Sequence, residues 1–110
     1  MDCIFCKIVA GEIPSPRVYE DDKMIVIRDV APAAPVHLLF IPKEHTPNVT
    51  TAAPELLAHM LGKVKEIAAQ QGIMEKGFRL VMNTGADGGQ TVDHLHIHLI
   101  GGKVLGWPPC

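Results

Sequence analysis

The sequence lacks several features that would assign a function class directly. Its formal net charge is −2, with 10 basic and 12 acidic residues, so it has no basic surplus of the kind that marks a nucleic-acid-binding surface. No apolar run approaches the roughly 18 residues that a membrane span needs. The first residues do not combine a basic region with a long apolar stretch, so we expect no secretory signal. These absences predict a cytoplasmic protein that binds neither nucleic acid nor membrane.

Cysteine is scarce, with only Cys3, Cys6 and Cys110 in the chain. An odd count in a short chain argues against a disulfide framework, and free thiols suit a reducing compartment. Histidine is abundant by contrast, with six residues, three of which fall within five positions. We expect one domain over residues 1–110, which is long enough to bury a core without disulfides.

Hydrophobic periodicity predicts an α+β fold. A short helix is expected over Cys3–Ala10, and one long helix over about Ala53–Gln71, with Thr51 as its cap, Pro54 in its first turn and Gly72 at its end. His59 falls inside that helix, either as an ordinary half-exposed residue or as support behind a site. Strands are predicted at Arg17–Glu20, Met24–Arg28, His37–Ile41, Phe78–Asn83 and from Thr91 or Val92 to Ile100.

The last of these strands alternates histidine with aliphatic residues, as His94-Leu95-His96-Ile97-His98-Leu99-Ile100. Residues two apart share a face of a strand, so one face presents three imidazoles and the other packs aliphatic side chains into a core. Burial accounts for the aliphatic face. Three adjacent imidazoles repel one another when protonated, and an anion is the simplest compensating partner.

Three interpretations of the imidazole face compete: a solvated surface, a catalytic metal site, and a phosphate site with an imidazole nucleophile. The Cα atoms of His94 and His98 would lie about 13 Å apart on a strand, which is awkward for zinc bonds of about 2 Å. A glycine-rich loop, Gly85-Ala86-Asp87-Gly88-Gly89-Gln90-Thr91, ends just before the histidines. Such a loop lets backbone N–H groups approach an anion, and Thr91 adds a hydroxyl group. We therefore favour the phosphate site.

With this pattern the chain resembles the histidine-triad (HIT) family, and within it the Hint branch of nucleoside phosphoramidases. The histidine segment matches the family signature. Further matches cover essentially the whole chain: Ile13-Pro14, Glu20-Asp21-Asp22, Arg28-Asp29-Val30-Ala31-Pro32, Ala34-Pro35-Val36-His37, Ile41-Pro42-Lys43-Glu44-His45, Asn83, Asp87-Gly88-Gly89-Gln90 and Trp107-Pro108-Pro109. One departure is Asp93, where the branch usually has an aromatic residue; we expect it at the strand edge, pointing away from the imidazoles.

The resemblance implies a HIT-like fold with about five antiparallel strands, one long helix and a short N-terminal helix, in a homodimer whose sheet continues across both subunits. It also implies residue roles. His96 is the nucleophile, His98 contacts the phosphate, His94 and His37 support them, and Thr91 supplies a hydroxyl group. Asp29 binds the ribose. The remaining nucleotide contacts are an apolar slot for the base, formed by Val30, Phe5, Ile8, Ile13 and Ile27; the residues Asn83, Gly88, Gly89 and Gln90; and Trp107 from the partner subunit.

The activity implied is hydrolysis of the P–N bond of adenosine or guanosine 5′-phosphoramidates through a nucleotidyl-His96 intermediate, with no cofactor required for catalysis. Two alternatives from the same family are a dinucleoside polyphosphate hydrolase and a nucleotidyl transferase. A third is a nucleotide-binding interaction protein without catalysis, and a fourth is a zinc-dependent structural module.

The pair Cys3-x-x-Cys6 can form half of a structural zinc site. Some HIT proteins carry zinc on such a pair with two histidines, and the matching residues here are His45 and His94. Zinc would then tie the N-terminus to the histidine segment. The alternative interpretation is two reduced thiols without a metal.

Overall fold

The computed structural model describes residues 3–109, which form helices and strands in an α+β arrangement. Cys110 lies outside the described residues. In chain order the elements are α1 (Ile4–Val9), β1 (Arg17–Glu20), β2 (Met24–Arg28), β3 (Val36–Pro42), α2 (Pro54–Gly62), α3 (Val64–Gln70), β4 (Phe78–Val81) and β5 (Ile97–Gly101).

The five strands form one antiparallel sheet in the order β1-β2-β3-β5-β4. Asp21 closes the first hairpin, since its Oδ1 accepts hydrogen bonds from the N–H groups of Lys23 and Met24 at 2.8 and 2.9 Å. The last strand, β5, inserts between β3 and β4, with Leu99 opposite both Leu38 and Leu80. The five-stranded antiparallel sheet predicted from the sequence is confirmed.

Both faces of this sheet are covered, as β2 shows: Met24–Ile27 are all buried, whereas a strand with one face in solvent would alternate. One face packs with α2 and α3 in a core formed by Met24, Val26, Leu38, Phe40, Met60, Val64, Ile67, Ala68, Ile73, Leu95, Ile97 and Leu99. The other face packs with α1 in a smaller core formed by Phe5, Ile8, Ile25, Ile27, Leu39 and Ile41.

The single long helix expected over Ala53–Gln71 is wrong in detail, because α2 ends at Gly62 and α3 begins at Val64. At Lys63 the N–H donates to the Met60 carbonyl three residues back, at 3.2 Å, which tightens the turn. Thr51 is not the cap either; Ala53 occupies that position without a side-chain bond, while the Thr51 hydroxyl donates to the Asn48 carbonyl. Pro54 and Gly72 stand as predicted.

The histidine strand begins later than predicted, at Ile97, so His94 and His96 precede it. Pairing between β3 and β5 stops at Phe40 opposite Ile97. Two residues further on, Pro42 has no N–H to donate, and its carbonyl accepts from the His94 side chain instead. The aliphatic half of the prediction is confirmed, because Leu95, Ile97 and Leu99 all lie in the larger core.

Within residues 3–109, none of the helices combines the length and the hydrophobicity that a membrane crossing requires.

Candidate functional site: a histidine cluster beside the first helix

The imidazoles gather on the face of the sheet that carries α1. The Phe5 ring of that helix meets the rings of His94 and His96 edge-on, with ring centroids 5.9 and 4.9 Å apart. The His96 and His98 centroids are 5.1 Å apart, as are those of His98 and His37. Four histidines separated in sequence by up to 61 positions thus form one contiguous group.

The tautomer of neutral His96 is set by its own backbone. Its Nδ1 lies 2.7 Å from the main-chain oxygen of His94. A carbonyl oxygen can only accept, so Nδ1 carries the proton and Nε2 carries the lone pair. The arrangement therefore prepares Nε2 of His96 to act as a nucleophile or a base.

A second chain of hydrogen bonds sets His37 and His98. The Ala33 N–H donates to Nδ1 of His37 at 3.0 Å, so that nitrogen is unprotonated and the proton of His37 is on Nε2. This N–H donates to Nδ1 of His98 at 2.8 Å, which leaves the proton of neutral His98 on Nε2. Oδ2 of Asp29 lies 3.4 Å from the same Nε2 of His37. His98 is thereby prepared to donate a hydrogen bond to an anion.

Burial and the neighbouring rings keep His98 neutral. Desolvation, with His96 and His37 nearby, lowers the pKa of His98 to about 4, against the opposing charge of Asp29. Burial also lowers the pKa of His94, although the bond to the Pro42 carbonyl works in the other direction. The lowered pKa of each ring disfavours its charged form, which reduces the repulsion expected of three protonated imidazoles.

The glycine-rich loop next to the histidines is tightly built. A Cβ on Gly88 would lie 2.3 Å from the Thr84 carbonyl oxygen, so only glycine fits there. The Asn83 amide donates to the Gly88 carbonyl at 2.7 Å. Gln90 accepts from the Gly85 N–H and donates to the Pro47 and Val92 carbonyls. Both predicted nucleotide contacts, Asn83 and Gln90, thus also brace the loop, while Gly88, Gly89 and Thr91 are exposed on it.

The apolar residues predicted to hold the base divide into two groups. Phe5, Ile8 and Ile27 are buried in the smaller core, and Ile13 is half-buried against it. Val30 is fully exposed at the tip of the β2–β3 loop. The structure therefore brings the first four together, whereas Val30 only borders the site through its neighbour Asp29.

The hollow beside Asp29 and His37 is small, about 90 Å³, whereas ligand pockets are usually several hundred Å³. Among the described residues a larger cavity, about 700 Å³, lies elsewhere, between Lys76–Arg79 and the tail at 102–105. Trp107 is 82% exposed on that tail, and the carbonyl of its neighbour Gly106 accepts from Arg79 at 2.7 Å. Within one chain, Trp107 is not among the residues that contact the histidines.

The predicted zinc ligands meet as a cluster in which one atom each of Cys3, Cys6, His45 and His94 lies within 4.8 Å of all the others. The sulfur–nitrogen distances are 3.3 Å for Cys3 to His94, 3.2 Å for Cys6 to His45 and 3.5 Å for Cys6 to His94. The two imidazole Nδ1 atoms are 3.1 Å apart. Tetrahedral zinc with ordinary bond lengths separates sulfur from nitrogen by about 3.5 Å and nitrogen from nitrogen by about 3.3 Å.

The chemistry of the donors also fits zinc. Nε2 of His94 donates to the Pro42 carbonyl at 2.9 Å, which leaves the lone pair of Nδ1 pointing at the two sulfurs. Metal-bound histidines commonly have such a partner on the second ring nitrogen. The four residues are therefore compatible with a structural zinc ion, as predicted.

A family model described as HIT domain matches residues 10–105 of the chain. The chain belongs to the HIT domain family. It is 58% identical over 111 residues to a HIT-like protein of Synechococcus elongatus, with 98% of this chain and 96% of that protein covered. It is 46% identical over 108 residues to a protein of Escherichia coli named purine nucleoside phosphoramidase, with 96% and 91% covered.

Two further HIT relatives are informative. A protein of Brassica juncea named 14 kDa zinc-binding protein is 45% identical over 113 residues, with 98% of this chain and 99% of that protein covered. The crystal structure of a HIT family hydrolase from Legionella pneumophila has a TM-score of 0.95 and 46% identity, with 99% and 100% covered. The family resemblance inferred from the sequence is confirmed.

Several groups that shape this HIT site could not be found from the sequence. They are main-chain groups: the carbonyls of His94 and Pro42 and the N–H of Ala33. Every residue offers such groups, so side-chain identity carries no signal for them.

His59 belongs to neither histidine group, because its Nε2 lies 2.7 Å from Oδ2 of Asp21. Asp93 is exposed ahead of β5 and not within it.

Proposed function

We propose that this chain is a hydrolase that cleaves the P–N bond of adenosine or guanosine 5′-phosphoramidates, with His96 as the nucleophile. The observation that carries the proposal is the 2.7 Å contact between Nδ1 of His96 and the His94 carbonyl. It leaves the Nε2 lone pair available without a change of tautomer. The name of the Escherichia coli relative supports the choice of substrate class.

In the first step, Nε2 of His96 attacks the α-phosphorus and the P–N bond breaks. The leaving nitrogen takes up a proton and departs as an amine. In the second step, water attacks the phosphorus, the bond to Nε2 breaks, and the nucleoside monophosphate leaves while the water's proton passes to the solvent. Dividing the transfer in two lowers each barrier.

The other site residues bind and orient the phosphate. Nε2–H of His98 donates to a phosphate oxygen, a direction set by the chain from Ala33 through His37. The Thr91 hydroxyl group and the N–H groups of Gly88–Gln90 hold the remaining oxygens. Phosphoryl transfer needs chiefly this positioning and charge stabilisation, and none of these steps requires a cofactor.

Asp29 binds the ribose hydroxyls, and Phe5, Ile8, Ile13 and Ile27 line the base with Val30 at the entrance. Trp107 is exposed on the tail of its own chain, which leaves it free to contact a second subunit. We propose a homodimer that pairs along the edge strand β4, with Trp107 of one subunit beside the histidines of the other. Cys3, Cys6, His45 and His94 would hold a structural zinc ion, and their thiols suit the cytoplasm.

The experiment is release of amine from adenosine 5′-phosphoramidate by the chain and by its His96→Ala variant, after chelator treatment. We expect release by the parent only, with AMP binding retained in the variant. Equal rates would refute the role of His96. No release by either, with AMP bound, would favour a binding protein or another leaving group, which hydrolysis of a dinucleoside polyphosphate would reveal.

A further inference from the structure

The residue proposed as the nucleophile lies outside the regular sheet. Strand β5 begins at Ile97, so the hydrogen bonds between β3 and β5 do not fix His96. The stretch His94–His96 is held by individual hydrogen bonds to Pro42 at the end of β3 and to Thr46 beyond it, and by the packing of Leu95 in the larger core. Its position therefore depends on a few groups and not on a strand ladder.

Those contacts meet at one peptide unit, the bond between His94 and Leu95. Its carbonyl accepts from Nδ1 of His96 at 2.7 Å, and its N–H donates to the Thr46 carbonyl at 2.7 Å. Thr46 directly follows the cluster residue His45. The peptide that orients His96 therefore begins at the cluster residue His94 and is hydrogen-bonded to Thr46, the neighbour of the cluster residue His45.

His94 takes part in both sites at once. Its Nδ1 faces Cys3, Cys6 and His45, while its main-chain oxygen holds His96. Nε2 is bonded to the Pro42 carbonyl, and the side chain is fully buried. A change in the position of His94 therefore moves the acceptor on which the tautomer of His96 depends.

We propose that metal occupancy of the Cys3–Cys6–His45–His94 cluster controls His96, because an ion bound there fixes the His94 carbonyl that orients its imidazole. An ion would join three separate segments: the start of α1, the loop after β3 and the stretch before β5. Without it, the start of α1 meets the other two segments through weak contacts between thiols and imidazoles and through the Phe5 ring. The loop after β3 and the stretch before β5 then keep the single hydrogen bond from the Leu95 N–H to the Thr46 carbonyl. His94 is then a positioning residue, and the proposal rests on the proposed role of His96.

The test compares zinc-free protein with protein given one equivalent of Zn²⁺. Nitrogen NMR of ¹⁵N-histidine-labelled protein reports the His96 tautomer, and amine release gives kcat and KM. We expect zinc to sharpen His96 into the single Nδ1–H form and to raise kcat by about tenfold, which is typical of residues that orient a reacting ligand. AMP affinity should change less than twofold, because the proposed phosphate donors lie outside the cluster and the smaller core holds Phe5 in place with or without the ion.

The variant His45→Gln removes an exposed ligand. It should respond to zinc in neither readout and should match the zinc-free parent. The matched control, His59→Gln, removes an imidazole outside both groups and should respond to zinc as the parent does. This control separates the effect of the metal from a general loss of stability.

Failure to bind zinc would overturn the proposal. Zinc binding that changes neither the nitrogen resonances of His96 nor kcat would also overturn the proposal and make the cluster purely structural. If no form releases amine, the proposed function fails, but the NMR response of His96 to zinc still decides the coupling.

Discussion

Nε2 of His37 lies 2.8 Å from Nδ1 of His98, so two imidazoles that are 61 residues apart share one proton on a line between them. The Ala33 N–H donates to Nδ1 of His37, so the shared proton is bound to Nε2 of His37. The consequence is a defined donor, Nε2–H of His98, at the proposed phosphate site. One main-chain N–H thus sets the donor direction of two side chains.

The first prediction is that His37→Ala lowers kcat about ten- to a hundredfold, the effect of one hydrogen bond to a charged group in the transition state. Without His37, nothing holds the proton of His98 on Nε2. The effect should appear in kcat more than in AMP affinity. Steady-state kinetics with adenosine 5′-phosphoramidate and AMP titration would measure both.

The matched variant is His37→Gln, whose amide can still donate to Nδ1 of His98. It should recover much of the lost rate. If alanine and glutamine reduce kcat equally, the direction of the hydrogen bond is not what His37 contributes.

The second prediction concerns acid stability through His98. Its pKa is about 4 in the folded chain, against about 6.5 for an unperturbed histidine. Between these values the unfolded chain binds more protons, so stability is complete above pH 6.5 and falls as the pH drops to 4. The loss from this group is at most about 3.5 kcal/mol at 1.4 kcal/mol per pH unit.

Urea unfolding at several pH values would measure it, with His98→Gln as the comparison. The free energy of unfolding of the parent should decline relative to the variant from pH 6.5 to 4 and run parallel to it below. Parallel curves over the whole range would mean that His98 titrates normally.

The third prediction concerns Asp21, which joins the first hairpin to α2. Partial burial works to raise its pKa, but the Lys23 N–H, His59 and the Tyr19 hydroxyl hold the pKa of Asp21 well below its ordinary value. Such a group stabilises the fold above about pH 4, and the stabilisation is lost as the pH falls further. Asp21→Ala should therefore lower the free energy of unfolding at pH 7 by about 2–3 kcal/mol.

The adjacent Asp22 is exposed and provides the control. Asp22→Ala should change stability by less than about 0.5 kcal/mol, as surface substitutions usually do. A similar loss in both variants would indicate an effect of hairpin charge and not of the Asp21 contacts.

The sequence predicted the regular parts of this molecule well, because periodicity reports burial directly. The alternation around Leu95, Ile97 and Leu99 identified the core face. The cysteine pair indicated half of the cluster, and the family resemblance supplied His45 and His94. What it missed depends on the backbone. The break at Lys63 and the late start of β5 follow from local hydrogen-bond choices that several sequences would satisfy.

The same limit applies to the proposed nucleophile. His96 was selected by the family signature, but the group that sets its tautomer is a carbonyl, which no residue type reveals. Asn83 and Gln90 illustrate the converse: the signature marked them as nucleotide contacts, and the structure adds a role in bracing the loop. A signature identifies the residues of a site, whereas the structure shows which contacts each of them makes.

The last prediction tests whether the loop shape matters for binding. In Gly88→Ala the new Cβ would meet the Thr84 carbonyl oxygen at 2.3 Å. Because that contact is with the backbone, the loop must move, and its N–H groups then lose their alignment toward a phosphate. We expect AMP affinity to fall about tenfold or more, the equivalent of one hydrogen bond to a charged group.

Gly62→Ala is the matched control, since a Cβ there meets nothing within 4 Å and its φ is not positive. At the end of α2 it should leave AMP affinity unchanged and raise the free energy of unfolding by about 0.5–1 kcal/mol. Titration calorimetry and urea unfolding measure the two quantities separately. A Gly88→Ala protein that binds AMP as tightly as the parent would mean that the loop adapts, and that the phosphate is held by His98 and Thr91 without the backbone N–H groups.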